Sequence, residues 1–358
     1  MSRSLKGKHE VDKDVTEEKG KRRLSKRGKT VAVVVAAAVA LAAVFAGSQL
    51  YLQQQAQASD RISSRVGELM SANSLDSALN PGTPATQQGT DAVEGQPTAK
   101  DYQSLIDAAN SAPSTGSLQV FGTSQSLPLA SELTLNAKLK SISSHYELSV
   151  MMVDLTTGEG ISFNPDARIY SASAIKGPYV ASINKLNPSG AKAHASTIER
   201  VITVSDNEGY DSLRRSFGDS TFGTYAHDAN VTAFDPVHWY VYTGARDFAK
   251  LWIENYDYFY VHPNENSEWA RGLYSDTLNS VIHQGVGSRY SVDSKAGWFA
   301  GEYNVLNDAG IVFSEVNGES HPYVLAIFSS AADQYDLLAD LVQSVDDVHT
   351  DMVASEQR

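Results

Sequence analysis

Cysteine is absent from this chain of 358 residues. A chain without thiols forms no disulfide bond, builds no thiolate metal site and uses no cysteine nucleophile. The nine histidines are scattered, and none of them falls in an HExxH or similar spacing of metal ligands. We therefore expect no metal ion and no other cofactor.

Positive charge is scarce outside the first 29 residues. That segment holds 11 of the 29 Lys and Arg residues but only 5 of the 42 Asp and Glu residues, so the rest of the chain has 18 basic against 37 acidic side chains. A basic groove for DNA or RNA is hard to build in so acidic a body, and we expect no nucleic-acid partner. The concentration of positive charge at one end instead indicates a targeting signal or a membrane signal.

One long apolar run follows the basic segment. Residues 30–46 contain no charged residue, no Gly and no Pro, and residues 47–52 can extend them. Such a run is near the lower length limit for a bilayer-spanning helix, and the basic flank places the N-terminus in the cytoplasm. We predict a single-pass protein of the cell membrane, with a cytoplasmic tail at 1–29, an anchor at 30–52 and an extracytoplasmic body. A cleaved signal peptide is the alternative, because Ala56-Gln57-Ala58 resembles a cleavage site.

Large apolar residues are sparse at residues 53–130, where Ser, Ala, Gln, Thr, Gly and Pro dominate. This composition buries too little apolar surface to form a core, so it predicts a flexible extracytoplasmic stem. As a flexible coil, most of this stem would span roughly 50 Å, which holds the folded body off the membrane and within reach of a cell wall. The folded body is predicted at residues 131–351, followed by a tail at 352–358.

The body is predicted to be α+β. Five segments rich in strand formers are expected to be strands, at residues 147–155, 161–163, 289–294, 304–314 and 323–329. Four segments are expected to be helices, at residues 195–203, 211–217, 246–256 and 333–345. Two strands, a helical middle, three strands and a final helix indicate an antiparallel sheet that joins both ends of the domain, with helices on its faces.

Ser173 and Lys176 are the first candidates for chemistry. If Ser173 opens a helix, Lys176 lies one turn further on and about 60° around the axis, so both side chains share a face. A serine hydroxyl is a poor nucleophile until a base takes its proton, and lysine can be that base when burial and nearby positive charge lower its pKa. Ser189 and Lys192 have the same spacing, but they follow Pro188 in a predicted turn, which is the wrong context.

Two more short motifs follow along the chain. In Ser205-Asp206-Asn207, the serine hydroxyl can pass a proton to a leaving nitrogen and the Asn207 amide can hold a substrate carbonyl. After a predicted strand, Lys295 can anchor a substrate carboxylate, and Gly297 lets a substrate backbone approach the strand edge. Taken alone, the Ser205 motif is more often a helix cap, and the Lys295 motif is too short to indicate any function.

Together and in this order, the three motifs resemble those of class A β-lactamases and penicillin-binding proteins. Residues 149–176 look like the hairpin that leads into the nucleophile helix of class A β-lactamases, and residues 202–207 look like their second motif. The resemblance covers about residues 131–345. It implies a five-stranded antiparallel sheet with helices beside a reduced helical domain, with the site in the cleft between them. The roles it implies are Ser173, Lys176 and Ser205 in catalysis, Asn207, Lys295 and Gly297 in substrate binding, and the backbone N–H groups of Ser173 and Trp298 as the oxyanion hole.

Three departures limit how far function carries over from this family. Ala296 stands where a Ser or Thr hydroxyl usually binds the substrate carboxylate, and Trp298 stands where a small residue is usual. Class A enzymes activate the hydrolytic water with a glutamate on a loop after the second motif, yet residues 217–242 contain no Glu. Asp235 precedes a proline, as that glutamate does, and is the best substitute base. An Asp side chain is one methylene shorter than Glu, and the ordinary interpretation of Asp235 is a turn residue before proline, so we expect slow deacylation.

Two classes of function remain open. The first is a serine hydrolase, acylated at Ser173 by β-lactams or by the D-Ala-D-Ala ends of cell-wall peptides. The alternative is a catalytically weak or inactive binding or sensor protein of the cell envelope on the same fold. The complete set of motif residues favours chemistry, whereas Ala296, Trp298 and the loop without Glu favour weak activity.

Overall fold

The computed structural model describes residues 100–123 and 127–356. The predicted cytoplasmic tail, the anchor at 30–52 and the first part of the predicted stem lie outside the described residues. Among the residues that are described, no helix is both long and apolar enough to cross a membrane. The membrane anchor therefore stays a prediction.

Helices and strands alternate along the described chain. The α-helices are α1 (Tyr102–Ser111), α2 (Leu129–Ser143), α3 (Lys176–Leu186), α4 (Pro188–Ala193), α5 (Ala195–Thr203), α6 (Asn207–Asp228), α7 (Ala245–Tyr256), α8 (Ser267–Gly272), α9 (Val281–Val286) and α10 (Tyr335–Glu356). The strands are β1 (Gln119–Phe121), β2 (Leu148–Asp154), β3 (Gly160–Phe163), β4 (Ile169–Tyr170), β5 (Tyr242–Thr243), β6 (Ser291–Ser294), β7 (Gly297–Phe299), β8 (Val305–Phe313), β9 (Glu315–Val316), β10 (Glu319–Ser320) and β11 (Tyr323–Ser329). A 3-10 turn at Ala172–Ile175 precedes α3, and a π-helical turn at Asp257–Val261 follows α7.

A seven-stranded antiparallel sheet runs through the body in the order β1-β3-β2-β11-β8-β6, and β7 also pairs with β8. The five predicted strands correspond to β2, β3, β6, β8 and β11. Because β11 lies between β2 and β8, the last strand joins the early and late strands of the domain in one sheet, as predicted. Five strands were predicted, which is too few for two reasons. Strand β1 falls in the segment assigned to the stem, and β7 has only three residues, too few to show an alternation of apolar and polar side chains.

Two hydrophobic clusters cover the two faces of the sheet. Along β2, Met151 and Val153 belong to one cluster, and Val150 and Met152 belong to the other, as the period of two in a strand requires. Helix α7 covers the first face, and α2, α9 and α10 cover the second. Since both faces are covered, β2 and β11 are buried along their whole length, which explains their nearly continuous apolar sequence.

The folded body is longer at both ends than predicted. Residues 102–111, assigned to the stem, form α1, which packs on α7 and buries Leu105 and Ile106 in the first cluster. Arg246 holds this segment by donating from Nη2 to Ala112 O at 2.8 Å. At the other end, α10 continues to Glu356 with Met352 and Val353 buried. A flexible stem up to residue 130 and a tail from 352 are therefore wrong for these residues.

The helical middle lies between the two groups of strands and includes α3 to α6. The predicted helix at 195–203 is α5, whereas the helix predicted at 211–217 is part of the longer α6. Helix α6 bends at Gly218, whose φ of +70° favours glycine. Helix α3 packs against α5, α6 and α7, so the start of α3 is held between the helical middle and the sheet.

Candidate active site

Ser173 lies in the 3-10 turn that leads directly into α3, at Lys176. In a 3-10 turn, residues three apart are eclipsed, which supports the predicted common face for Ser173 and Lys176. Ala172, immediately before the serine, has a left-handed φ of +44°, which is strained for a residue with a Cβ. Ser173 is half-buried between buried neighbours, so its hydroxyl is accessible on an otherwise closed turn.

Backbone contacts on two sides hold the nucleophile turn in place. Asn307 of β8 donates from Nδ2 to Tyr170 O at 2.8 Å and to Ser171 O at 3.1 Å. On the other side, Ser171 N donates to Val241 O at 2.8 Å, and Val241 N donates to Ser171 Oγ at 3.1 Å. Sequence reasoning missed Asn307, because the two polar residues Asn307 and Asp308 within an otherwise apolar strand form no recognised motif.

Gly297 contacts the same turn from β7. A Cβ added at Gly297 would lie 2.3 Å from Ala174 N, 2.5 Å from Ser171 O and 2.8 Å from Ser173 N. These distances are below van der Waals contact, and all three atoms belong to backbone. The need for glycine here therefore comes from close packing of β7 on the nucleophile turn, in addition to any approach of a substrate.

Lys176 is fully buried and points to the loop before α6. Its Nζ donates to Ser205 O at 2.7 Å and to Asn207 Oδ1 at 2.6 Å, and it lies 3.4 Å from Ser205 Oγ. The ring of Tyr210 lies beside the amine, with its centroid 5.6 Å from Nζ. The structure thus brings the first and second predicted motifs together.

Ser205 lies between two lysines. Its backbone has a left-handed φ of +61°, and its Oγ is 3.4 Å from Lys176 Nζ and 3.3 Å from Lys295 Nζ. A hydroxyl can accept a hydrogen bond from one amine and donate one to the other. With this geometry, Ser205 can relay a proton between the Lys176 side and the Lys295 side of the cleft.

Lys295 is fully buried, although a carboxylate-binding role was predicted for it. Its Nζ donates to Ala296 O at 3.0 Å and to Ser205 Oγ, and the centroid of the Trp298 ring lies 5.5 Å away. The Trp298 ring is partly buried and also packs on the second hydrophobic cluster. The side chain of Lys295 passes over α3 at Gly177, where a Cβ would lie 2.9 Å from Lys295 Cβ.

Both lysine pKa values are lowered by their surroundings. Burial lowers the pKa of Lys176 to about 7, and the carboxylates of Asp206 and Asp211 oppose this shift. Burial, followed by the positive charge of Lys176, lowers the pKa of Lys295 to about 7, with Asp308 opposing. A neutral amine is thus accessible at physiological pH, as a lysine general base requires.

Tyr240 belongs to the site but was not predicted from the sequence. Its hydroxyl lies 3.4 Å from Asn207 Oδ1, the atom that also accepts from Lys176. Burial raises the pKa of Tyr240 well above its usual range, so the phenol stays neutral and can donate a hydrogen bond. A tyrosine in an irregular loop has no pattern that would have identified it.

The structure does not bring Asp235 into this cluster. Asp235 is exposed, and its Oδ1 accepts from Val237 N at 3.0 Å within the same loop, which is the contact of a turn residue. The neighbouring Pro236 accepts from the buried Arg214 through its carbonyl oxygen, so this part of the loop is held by α6. Its role as a deacylation base stays a prediction that this placement does not favour.

The second serine–lysine pair lies in α4, a short helix where a turn was predicted. Ser189 and Lys192 are both exposed. This pair has the same spacing without the burial of Lys176, so it provides a natural control for Ser173 and Lys176.

Comparisons with known proteins bear on the family and the fold. Residues 182–348 match the model of the beta-lactamase enzyme family, a range that includes the second and third motifs and begins just after Ser173 and Lys176. No curated protein matches the chain.

Many solved structures resemble the fold, and two of them serve as examples. One, described as PBP-A, is 16% identical with a TM-score of 0.50, and the match covers 62% of this chain and 97% of that chain. A beta-lactamase from Streptosporangium roseum is also 16% identical with a TM-score of 0.50, and the match covers 63% of this chain and 100% of that chain. The family match over residues 182–348 and the fold are similar to those of serine β-lactamases and penicillin-binding proteins, in agreement with the order of the motifs.

Proposed function

We propose that this protein is a membrane-anchored serine hydrolase whose Ser173 is acylated by β-lactams or by D-Ala-D-Ala-type peptide ends, and whose acyl-enzyme is hydrolysed slowly. The observation that carries the proposal is the convergence of two buried lysines on Ser205. Lys176 Nζ lies 3.4 Å and Lys295 Nζ lies 3.3 Å from its Oγ, beside the nucleophile turn.

Acylation follows from the roles of these groups. Neutral Lys176 takes the proton of Ser173, whose Oγ attacks the amide carbonyl carbon while backbone N–H groups of Ser173 and Trp298 stabilise the oxyanion. The C–N bond then breaks, and the leaving nitrogen receives a proton through Ser205. A low pKa for Lys176 supports the first step, because the amine must be neutral to accept a proton.

Deacylation requires a second base that orients water. The loop residue expected to provide it, Asp235, is exposed and bonded to Val237 N. Loss of a general base typically costs about 10²–10⁴-fold in rate. The acyl-enzyme should therefore accumulate as a stable adduct.

Labelling with a fluorescent penicillin tests the proposal. Membranes containing the full chain are treated, and the protein is separated on a denaturing gel and its adduct located by mass spectrometry. We expect one adduct on Ser173 that is absent from Ser173→Ala and retained by Ser189→Ala, the matched control from the second serine–lysine pair. An adduct that survives Ser173→Ala would refute the assignment of the nucleophile.

The location outside the membrane rests on the sequence, through the apolar run at 30–52 and its basic flank. Protease added to intact cells should remove the folded body and leave a protected N-terminal fragment. Complete protection of the body would show that the orientation is wrong.

A second candidate is a binding or sensor protein of the cell envelope. The burial of Lys295, which donates to Ala296 O and lies under the Trp298 ring, favours it, because the amine is then withdrawn from an incoming carboxylate. Under this alternative, a β-lactam would bind without forming an adduct.

A further inference from the structure

Asp211 lies on α6 one turn after Asn207, so the two side chains share a face of the helix. The helical rise separates the two residues by about 6 Å along the axis. Because side chains on a helix tilt toward its N-terminus, the Asp211 carboxylate is directed back toward Asn207. Asn207 Oδ1 in turn accepts from Lys176 Nζ at 2.6 Å. Asp211 thus extends the polar cluster of the active site by one helical turn.

The Asp211 carboxylate is accessible and only weakly paired. Its side chain is 43% exposed, and its Oδ2 lies 4.0 Å from Nη2 of Arg215, whose side chain is 73% exposed. An exposed ion pair at this distance contributes little to stability. The carboxylate is therefore able to accept a hydrogen bond from water.

Tyr240 adds a third polar group next to Asp211 and Asn207. Its hydroxyl lies 3.4 Å from Asn207 Oδ1. Burial raises the pKa of Tyr240, and the nearby carboxylate of Asp211 is the next cause of that shift. A neutral phenol, an amide and a carboxylate therefore meet at the first turns of α6. An ordered water needs two to four polar partners of this kind, so these three groups can hold and orient one.

Two other carboxylates act on the pKa values of the buried lysines, and both are held by neighbouring groups. Asp206 Oδ2 lies 3.1 Å from Arg200 Nε. Asp308 is fully buried, and its Oδ2 accepts from Ser280 Oγ at 2.7 Å. Of the three carboxylates, that of Asp211 is the least engaged and the most open to water.

We propose that Asp211 is the base that activates water for hydrolysis of the acyl-enzyme, in place of the glutamate missing from residues 217–242. The inference rests on the proposed function and assigns the residue responsible for its second step. Water gives a proton to Asp211 while its oxygen forms a bond to the acyl carbon. The bond from that carbon to Ser173 Oγ then breaks, and this oxygen regains the proton from Asp211 by way of Lys176. A half-exposed carboxylate orients water less strictly than a buried one, so the step stays slow.

Decay of a preformed adduct tests this assignment. The full chain is labelled with a fluorescent penicillin, free label is removed, and the adduct that remains on Ser173 is followed by mass spectrometry. Asp211→Asn keeps the shape of the side chain and removes its charge. The adduct should still form, and it should decay about 10²-fold more slowly, the lower end of the contribution of a general base. Decay at the rate of the unmodified chain would overturn the assignment.

Glu208→Gln is the matched control, because Glu208 is an exposed carboxylate in the first turn of the same helix. It should leave the decay of the adduct unchanged. Asp235→Asn examines the competing base and should also leave the decay unchanged. If Asp235→Asn slows the decay and Asp211→Asn does not, the base lies in the loop and the inference is wrong.

The pH dependence of acylation separates catalysis from a structural role of Asp211. Since the Asp211 carboxylate opposes the lowering of the Lys176 pKa, Asp211→Asn should move the rise in acylation rate to lower pH. Glu208→Gln should not move it, and neither variant should change the midpoint of urea unfolding. A profile that Asp211→Asn leaves in place would show that the carboxylate is too far from the cluster, against the proposal.

Acetylation by p-nitrophenyl acetate separates this inference from the proposed function, because an activated ester can modify Ser173 without a β-lactam. If penicillins leave no adduct but the acetyl-enzyme forms and Asp211→Asn slows its hydrolysis, the proposed substrate class is wrong and the role of Asp211 holds. If penicillins acylate Ser173 and Asp211→Asn changes the hydrolysis of neither adduct, the role of Asp211 is wrong and the proposed function holds. If neither reagent modifies Ser173, both are wrong.

Discussion

Replacing Gly297 by alanine is expected to break the contact between β7 and the nucleophile turn. The added Cβ would lie 2.3 Å from Ala174 N and 2.5 Å from Ser171 O, and neither atom can rotate away because both belong to backbone. An ordinary contact needs about 3.4 Å or more, so β7 or the turn must move by about 1 Å, and overpacking of this kind typically costs ~1–3 kcal/mol.

The same displacement should affect acylation more than stability. A shift of about 1 Å at a reacting group can cost on the order of 10²-fold in rate, because the attack geometry is lost. We expect Gly297→Ala to slow adduct formation with a fluorescent penicillin by about that factor. Urea unfolding followed by tryptophan fluorescence should show only the modest loss of stability, with an unchanged dependence on urea.

Gly272→Ala is the matched control, because no atom lies within 4 Å of the Cβ that it would add. It should leave both the acylation rate and the unfolding midpoint unchanged. If Gly297→Ala acylates at the rate of the unmodified chain, the close packing of β7 on the turn does not position Ser173, and the geometric reasoning is wrong.

Three further predictions concern protons. Because the pKa of Lys176 is lowered to about 7 and the neutral amine is the base, the acylation rate should rise with pH through about 7 and then level off; a flat profile would contradict this. Stopped-flow hydrolysis of a chromogenic cephalosporin should give a burst of one equivalent and slow turnover that Asp235→Asn does not change, whereas fast linear turnover abolished by Asp235→Asn would identify an aspartate base. Burial alone would raise the pKa of Asp154, but hydrogen bonds from His321 and His349 outweigh it and hold that pKa well below its usual range. The resulting stability is present above the unfolded value of about 3.9 and is lost as the pH falls below it. Breaking such a buried pair by Asp154→Asn should cost about 3–5 kcal/mol in urea unfolding at neutral pH, while the exposed Asp340→Asn should cost under about 1 kcal/mol.

The parts of the fold predicted from the sequence are those with a repeating pattern. Strands β2, β8 and β11 lie within one or two residues of their predicted bounds because both faces are buried, which requires long runs of strand formers. Asn317-Gly318, a dipeptide typical of tight hairpin turns, joins the small pair β9 and β10 with φ of +55° and +83°. Helix α1 was assigned to the stem because it contributes only a few apolar residues, and these become stable only when they pack on α7.

In the candidate site, too, the residues that belong to a recognisable sequence pattern were predicted and the others were not. Ser173, Lys176, Ser205 and Lys295 were predicted because short motifs specify them, and the structure brings Lys176 and Lys295 within hydrogen-bond reach of Ser205. Tyr240 could not be found, because its contact with Asn207 depends on the path of an irregular loop.

The third motif departs in two ways from an arrangement that would bind a substrate carboxylate. Ala296 has no hydroxyl to offer, and Lys295 donates to Ala296 O and Ser205 Oγ, so an incoming carboxylate must compete with existing hydrogen bonds to reach the amine. Under the proposed function, the carboxylate common to all β-lactams therefore contributes less to binding here than a free lysine and a neighbouring hydroxyl would allow.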